Sequence, residues 1–241
     1  MIIIPARLRS TRFPNKILSD IYGLPMCIRV AKNASKVDDT ILAVDDFSVY
    51  ELALKHDVRA VMTDPKHPNG TLRVLEACIL LDLPKSEVII NLQADEPFLE
   101  VENIKKLLDL TKTSSFMATL AKTVSLEEAL SPNLVKVVLN DKKCALYFSR
   151  SLIPFNRDKD VAVNYLGHLG MYGFLNIEVL KEYASFKECA LENIEKLEQL
   201  RVLYHGREIA LDIVESKSFG IDTKEDLEEA LKVFKKDNLY E

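Results

Sequence analysis

Glycine is missing where a Walker-type phosphate loop would need it. No GxxxxGK[ST] occurs, and the first eighteen residues, MIIIPARLRSTRFPNKIL, contain no glycine at all. A glycine nest of backbone amides is therefore excluded there. Cysteine is sparse too: Cys27, Cys78, Cys144 and Cys189 lie far apart and form no CxxC pair. That excludes a zinc site or disulfide frame and leaves buried free thiols. No apolar run approaches the roughly 18 residues of a transmembrane helix. A net charge of −5 over 241 residues lacks the basic excess that bulk nucleic-acid binding requires. Internal repeats, low-complexity tracts and linkers are also absent, which points to one domain. The first strand begins at Ile2 and leaves no room for a signal peptide ahead of it, so a reducing cytoplasm is the expected location.

What is present is an ordinary globular composition, 48% hydrophobic and 29% charged. Ile2, Ile3 and Ile4 read as a buried strand ended by Pro5. The loop after it carries Arg7, Arg9, Arg12 and Lys16 and no acid, against an acidic background. A basic loop leaving the end of a buried strand suits a polyphosphate, with side-chain cations doing the holding. Further strands are expected at 40–44, 58–62 and 88–92, alternating with helices at 25–36, 47–56, 72–83 and 101–112. Such β-α alternation with short links predicts a parallel, doubly wound sheet. Beyond residue 112 the pattern becomes strand-rich, with expected strands at 116–122, 134–139, 145–150, 166–175 and 208–215. Helices are expected at 176–185 and 193–204, and a last one after Asp222-Thr223.

Several residues can carry chemistry. Asp95 ends the buried run VIINLQ, where a carboxylate faces the ligand crevice and suits Mg²⁺ on a triphosphate. Asp222 follows a strand and precedes a helix, so it is either a second metal carboxylate or an N-cap. The turn HPNGT (67–71) offers Asn69, Gly70 and Thr71 to a nucleoside, or is simply an Asn-Gly turn. His168 and Tyr172, four apart in a strand, share one face. Glu198 and Gln199 sit among leucines, and Arg150 ends the run YFSR.

Seven segments, IPARLRSTRFPNK, HPNGTLR, NLQADEP, LYFSRSLIPF, GHLGMYGF, LEQLRVLYHG and GIDTKEDLEEA, occur in the order and spacing seen in the 3-deoxy-manno-octulosonate (KDO) cytidylyltransferases. The chain resembles that family from Ile2 to about Leu231. The resemblance implies a three-layer α/β nucleotidyltransferase, Rossmann-like and GT-A-like, with a mainly parallel central sheet and a β-rich insertion. It implies one domain whose first half, to about residue 112, binds nucleotide. The half from about 113 binds sugar and forms a homodimer. The implied reaction is CTP + KDO → CMP-KDO + pyrophosphate with Mg²⁺, feeding lipopolysaccharide assembly. Arg7, Ser10, Arg12 and Lys16 fall on the triphosphate positions; Asn69, Gly70, Thr71 and Gln93 fall in the nucleoside loops. Lys16, Arg7, Arg12 and Asp95 are the expected catalytic residues, and Asp95 and Asp222 the metal carboxylates. Arg150, His168, Tyr172, Glu198 and Gln199 match the sugar-acid pocket, where Arg150 and His168 are both expected to offer positive charge to the substrate carboxylate.

The chain departs from the family pattern at three positions. Ala94 stands for a common glycine before Asp95, Asn69 for a frequent serine, and Val44 for a threonine before Asp45. None removes a charge the chemistry needs. Other readings are the same transfer to 8-amino-KDO or a sialic-type acid sugar, and a nucleotide-binding protein without catalysis. A GT-A glycosyltransferase is disfavoured because the strand-end string is Gln-Ala-Asp-Glu, with no DxD.

Overall fold

The computed structural model describes residues 1–10, 13–159 and 161–234. In chain order its first half holds strand β1 (Ile2–Ala6), a tight turn at Lys16–Leu18, hairpin β2 (Asp20–Ile21) and β3 (Leu24–Pro25), and helix α1 (Met26–Ala34). Then come β4 (Thr40–Val44), α2 (Phe47–Lys55), β5 (Ala60–Met62), α3 (Gly70–Leu80), β6 (Ile89–Asn91) and α4 (Val101–Thr113). The second half runs β7 (Met117–Val124), α5 (Leu126–Leu130), β8 (Lys136–Leu139), β9 (Ala145–Ser149) and β10 (Tyr165–Phe174). It closes with α6 (Ile177–Ser185), α7 (Ala190–Glu195), α8 (Leu200–Tyr204), β11 (Ile209–Ile213) and α9 (Lys224–Val233).

The central sheet has the order β11-β7-β10-β6-β1-β4-β5, and β8 and β9 attach beside β10. β1 pairs parallel with β4 and β6, β4 with β5, and β11 with β7; β10 runs against both β6 and β7. The sheet is thus mostly parallel with one reversed strand, and the antiparallel β8–β9 hairpin supplies the β-rich insertion. Strand alternation splits the core between the two faces. Ile3, Ile41 and Ala43 pack with Val74 of α3 and Leu180 of α6. Ile2, Ile4, Leu42 and Val44 pack with Ile28 of α1, Val49 of α2 and Leu107 of α4. Helices therefore cover both faces, which is the three-layer arrangement. Among the described residues no helix is long and apolar enough to cross a membrane.

Some boundaries differ from expectation for identifiable reasons. β1 runs through Pro5, which pairs in register with Ala43. Ile3 O accepts from Leu92 on the β6 side, so alternation turns the Pro5 nitrogen that way too, beyond the last registered β1–β6 pair, Ile3–Asn91. Its missing N–H costs no ladder bond there. Pro25 is the N-cap of α1, not part of its first turn. The expected 193–204 helix is two short helices, because Lys196 adopts the left-handed conformation (φ 55°) and ends α7. The β2–β3 hairpin, turning at Tyr22 (φ 51°) and Gly23 (φ 85°), was not expected. Glycines in β10 do mark close approach: a Cβ on Gly173 would fall 1.8 Å from Thr111 Oγ1 of α4.

Candidate active site

The site gathers where β1 and β6 end, at the N-terminus of α3. Asn15, left-handed at φ 57°, turns the chain into Lys16–Leu18 and buries the Lys16 side chain. Its ammonium lies 2.6 Å from Asp95 Oδ2 and 2.9 Å from Asp222 Oδ1. Burial alone would lower the Lys16 pKa, but the two carboxylates outweigh it and hold the ammonium above its ordinary range. Ile221 N–H donates to the Asp95 carbonyl at 3.0 Å, which ties the two acidic loops together. Thr223, not Asp222, caps α9, in a capping box with Asp226. The N-cap alternative for Asp222 therefore falls away, and its carboxylate belongs to the Lys16 cluster. Among the described residues no group of three or more His, Cys, Asp and Glu is arranged as a metal cage. Two carboxylates converging on one cation nevertheless form a hard oxygen pair. That fits Mg²⁺, which commonly takes one or two protein carboxylates and completes its shell with substrate phosphates and water.

Beside this cluster, Asn69 caps α3 by accepting from Leu72 N–H at 2.9 Å. Gly70 packs against the end of β1, where a Cβ would lie 3.0 Å from Pro5 Cγ and 3.8 Å from Gln93 Oε1. Thr71 Oγ1 accepts from the fully buried Asn91 at 3.1 Å and donates to Glu198 Oε1 at 3.0 Å. Tyr183 donates to the other oxygen of Glu198 at 3.3 Å. Burial pushes the Glu198 carboxyl up, against those two hydrogen bonds, which pull it down. Tyr172 OH donates to Gln199 Oε1 at 3.0 Å, and Gln199 Nε2 is buried without a partner.

His168 Nε2 lies 2.9 Å from Thr119 Oγ1, and Thr119 gives its single proton to Met171 O at 2.7 Å. The histidine must then be the donor, which leaves Nδ1 as an acceptor. Burial brings the His168 pKa down to about 3. Glu96 is also buried, and desolvation followed by the neighbouring Asp95 charge pushes it up to about 8.

A cytidylyltransferase family model matches residues 1–209. The 3-deoxy-manno-octulosonate cytidylyltransferase of Helicobacter pylori is 56% identical over 241 residues, covering 99% of each chain. The chain belongs to the 3-deoxy-manno-octulosonate cytidylyltransferase family. The Wolinella succinogenes cytidylyltransferase of that name is 50% identical, with 97% of this chain and 99% of the relative covered. A solved CMP:2-keto-3-deoxy-manno-octonic acid synthetase complexed with CTP matches at TM-score 0.89 and 36% identity, covering 96% of each chain. A 4-diphosphocytidyl-2C-methyl-D-erythritol synthase from Anaerococcus prevotii, at TM-score 0.62 and 16% identity, shares the fold alone.

In this cytidylyltransferase the fold brings Lys16, Asp95 and Asp222 together, and likewise Thr71 with Glu198 and Tyr172 with Gln199. Arg7 is exposed just past β1 and Ser10 is half-buried in the same loop, while Arg12 lies outside the described residues. Burial alone holds His168 well below its ordinary range, at about 3. The Glu198 carboxylate holds Thr71 at the head of α3. Arg150 donates from Nε to Glu195 O at the end of α7 at 2.7 Å and from Nη1 to Pro132 O, between α5 and β8, at 3.0 Å. Sequence reasoning passed over Asn91, Thr119, Tyr183 and Glu96. A lone amide inside the apolar strand VIINL was the available signal for Asn91, since a buried amide needs a partner.

Proposed function

We propose that this chain transfers CMP from CTP to 3-deoxy-manno-octulosonate, releasing pyrophosphate. The observation that carries the reading is the convergence of Asp95 and Asp222 on one buried cation at the carboxyl end of the parallel strands. That is where an α/β sheet binds a nucleotide. The anomeric hydroxyl of the sugar attacks the α-phosphorus in line. The new oxygen–phosphorus bond forms as the bond to the pyrophosphate oxygen breaks. Lys16, Arg7 and Arg12 offset charge on the phosphates and on the leaving pyrophosphate, with Ser10 in the same loop. Asn69, Gly70, Thr71 and Gln93 form the nucleoside side. Asp95 and Asp222 would hold Mg²⁺, which when bound offsets charge on the α-phosphate.

On the sugar side, Arg150 is the cation for the substrate carboxylate. His168 offers a neutral acceptor, and the buried, unpartnered Gln199 Nε2 offers a donor. Tyr172 and Glu198 shape the same pocket. A homodimer formed through the residues after about 112 belongs to this reading, supported by the exposed Leu130, Leu146, Phe155 and Ile194. So does a place in the cytoplasm, supplying lipopolysaccharide assembly.

The test is pyrophosphate release from CTP against a panel of acid sugars, with light scattering for the dimer. Turnover is expected with KDO and Mg²⁺. Preference for another acid sugar, or no release with any, would overturn the reading.

A further inference from the structure

β10 is not a regular strand. Against β7, His168 stands opposite Ala121 and Leu169 opposite Leu120, but the next registered pair is Tyr172 with Thr119. Gly170 and Met171 are thus looped out of the ladder. Four residues of regular strand would separate His168 and Tyr172 by about 13 Å, whereas the two-residue span of β7 opposite them covers only about 7 Å. The bulge closes that gap, and the two rings sit 5.5 Å apart between centroids. Because two residues are inserted, the alternation keeps parity and both rings stay on one face.

Two side chains grip the looped-out pair. From inside the sheet, Thr119 donates to Met171 O at 2.7 Å. Glu96 reaches in from the loop that carries Asp95, and its Oε1 packs against the Gly170 backbone. The approach is close enough that a Cβ on Gly170 would lie 2.9 Å from Glu96 Oε1. Glu96 is only 7% exposed, and its second oxygen has no hydrogen-bond partner. A buried carboxylate packed this closely on the looped-out glycine leaves the bulge little room to shift.

We propose that Glu96 is a positioning residue: it fixes the β10 bulge and so sets the spacing of His168 and Tyr172 in the sugar-acid pocket. It thereby ties that pocket to the loop that holds Asp95. This inference rests on the cytidylyltransferase reading given above. Its substrate-independent part is the geometry of the bulge. Bulges beside active sites serve to re-aim side chains, and supporting contacts decide how well a site is held.

Three variants test it. Glu96→Ala removes the side chain packed on Gly170. Gly170→Ala pushes the flexible Glu96 terminus away with the acid still present. Glu96→Gln keeps a side chain of the same length. Each is assayed for melting temperature, CTP affinity by calorimetry, the Mg²⁺ concentration for half-maximal rate, and KM and kcat for KDO. Glu96→Ala and Gly170→Ala should raise the KDO KM at least tenfold, with CTP affinity and Mg²⁺ requirement within twofold of wild type. Glu96→Gln should stay within threefold of wild type throughout. A KDO KM within twofold in both disruptive variants would overturn the proposal. So would a large shift in Mg²⁺ requirement, which would make Glu96 a metal ligand, or a glutamine variant as impaired as the alanine. If wild-type enzyme is inert with KDO, the functional reading fails separately. The crystal structure of Gly170→Ala then decides the bulge: an unchanged β10 register and unchanged ring spacing would refute the positioning role.

Discussion

Replacing Glu198 by alanine tests whether the nucleotide and sugar sides are mechanically joined. The wild-type carboxylate accepts from Thr71 Oγ1 at 3.0 Å and from Tyr183 OH at 3.3 Å. Both donors belong to residues only 1% exposed, so water does not readily replace the lost acceptor. An orphaned buried donor costs about 1–3 kcal/mol, and the longer Tyr183 bond belongs at the low end of that range. Against this stands a relief, because the acid itself is held in a site that disfavours its charge. The net loss should be about 1–3 kcal/mol, which at roughly 2–4 °C per kcal/mol for a chain of this size lowers the melting temperature by about 2–12 °C. Glu198→Gln keeps one acceptor and sheds the charge, so it should melt within about 3 °C of wild type. Thr71 lies in the first turn of α3, whose head is proposed to meet the nucleoside, so CTP affinity should fall together with kcat/KM for KDO in the alanine variant. A double-mutant cycle with Thr71→Val isolates the contact, with an expected coupling of about 0.5–2 kcal/mol. Strict additivity in that cycle, or an unchanged melting temperature in Glu198→Ala, would refute the reasoning.

Asp95→Asn should abolish turnover at any Mg²⁺ concentration, and excess chelator should do the same to wild type; residual turnover in either case counts against a metal carboxylate. Arg73 is 2% exposed and donates to Thr63 Oγ1 at 2.6 Å and to Asp45 Oδ2 at 3.3 Å. Arg73→Met should therefore cost about 3–5 kcal/mol in denaturant unfolding, since it strands the buried Asp45 charge. A loss below 1 kcal/mol on the order of a surface pair would show that Asp45 is solvated. His168 carries a pKa of about 3, below its ordinary value of 6.5. Between those values the unfolded chain takes up a proton that the folded chain does not, so stability falls as pH falls through that window. The melting temperature of His168→Gln should accordingly decline less than that of wild type between pH 7 and 4, and parallel curves would contradict the assignment.

How much of this was legible depended on whether the signal was local. β4 begins at Thr40 and ends at Val44, as the apolar run TILAV between polar neighbours requires. The placement of Asp95 followed from a buried run that stops at a carboxylate. The break at Lys196 was hidden, because the leucines on either side keep a helical spacing while a left-handed residue interrupts it. The bulge in β10 was hidden for a different reason. Its glycines announced close approach, but the group that approaches, Glu96, is 74 positions away, and nothing in GHLGMYGF specifies it. The lowered pKa of His168 likewise depends on what surrounds it in space. Lys136 shows the same limit within an apolar strand. It is fully buried, with its ammonium donating to the carbonyls of Ser131, Leu134 and Arg150, none of which the run VKVVL foretells.

The candidate residues are also one another's structural partners, and this limits what single substitutions can say about catalysis. Lys16 reaches Asp95 across 79 positions and Asp222 across 206, while Thr71 reaches Glu198 across 127. Burying the Lys16 ammonium alone would be costly; beside two carboxylates it becomes tolerable. Removing Asp95 or Asp222 therefore weakens the support of a buried cation as well as the proposed metal position. Removing Lys16 takes away the cation that both carboxylates share. Each single variant then reports a lost chemical role together with a strained remainder. Only a cycle that removes Lys16 and Asp95 singly and jointly separates the two, because the strain of the unpaired partner cancels in the joint variant and the chemical loss does not.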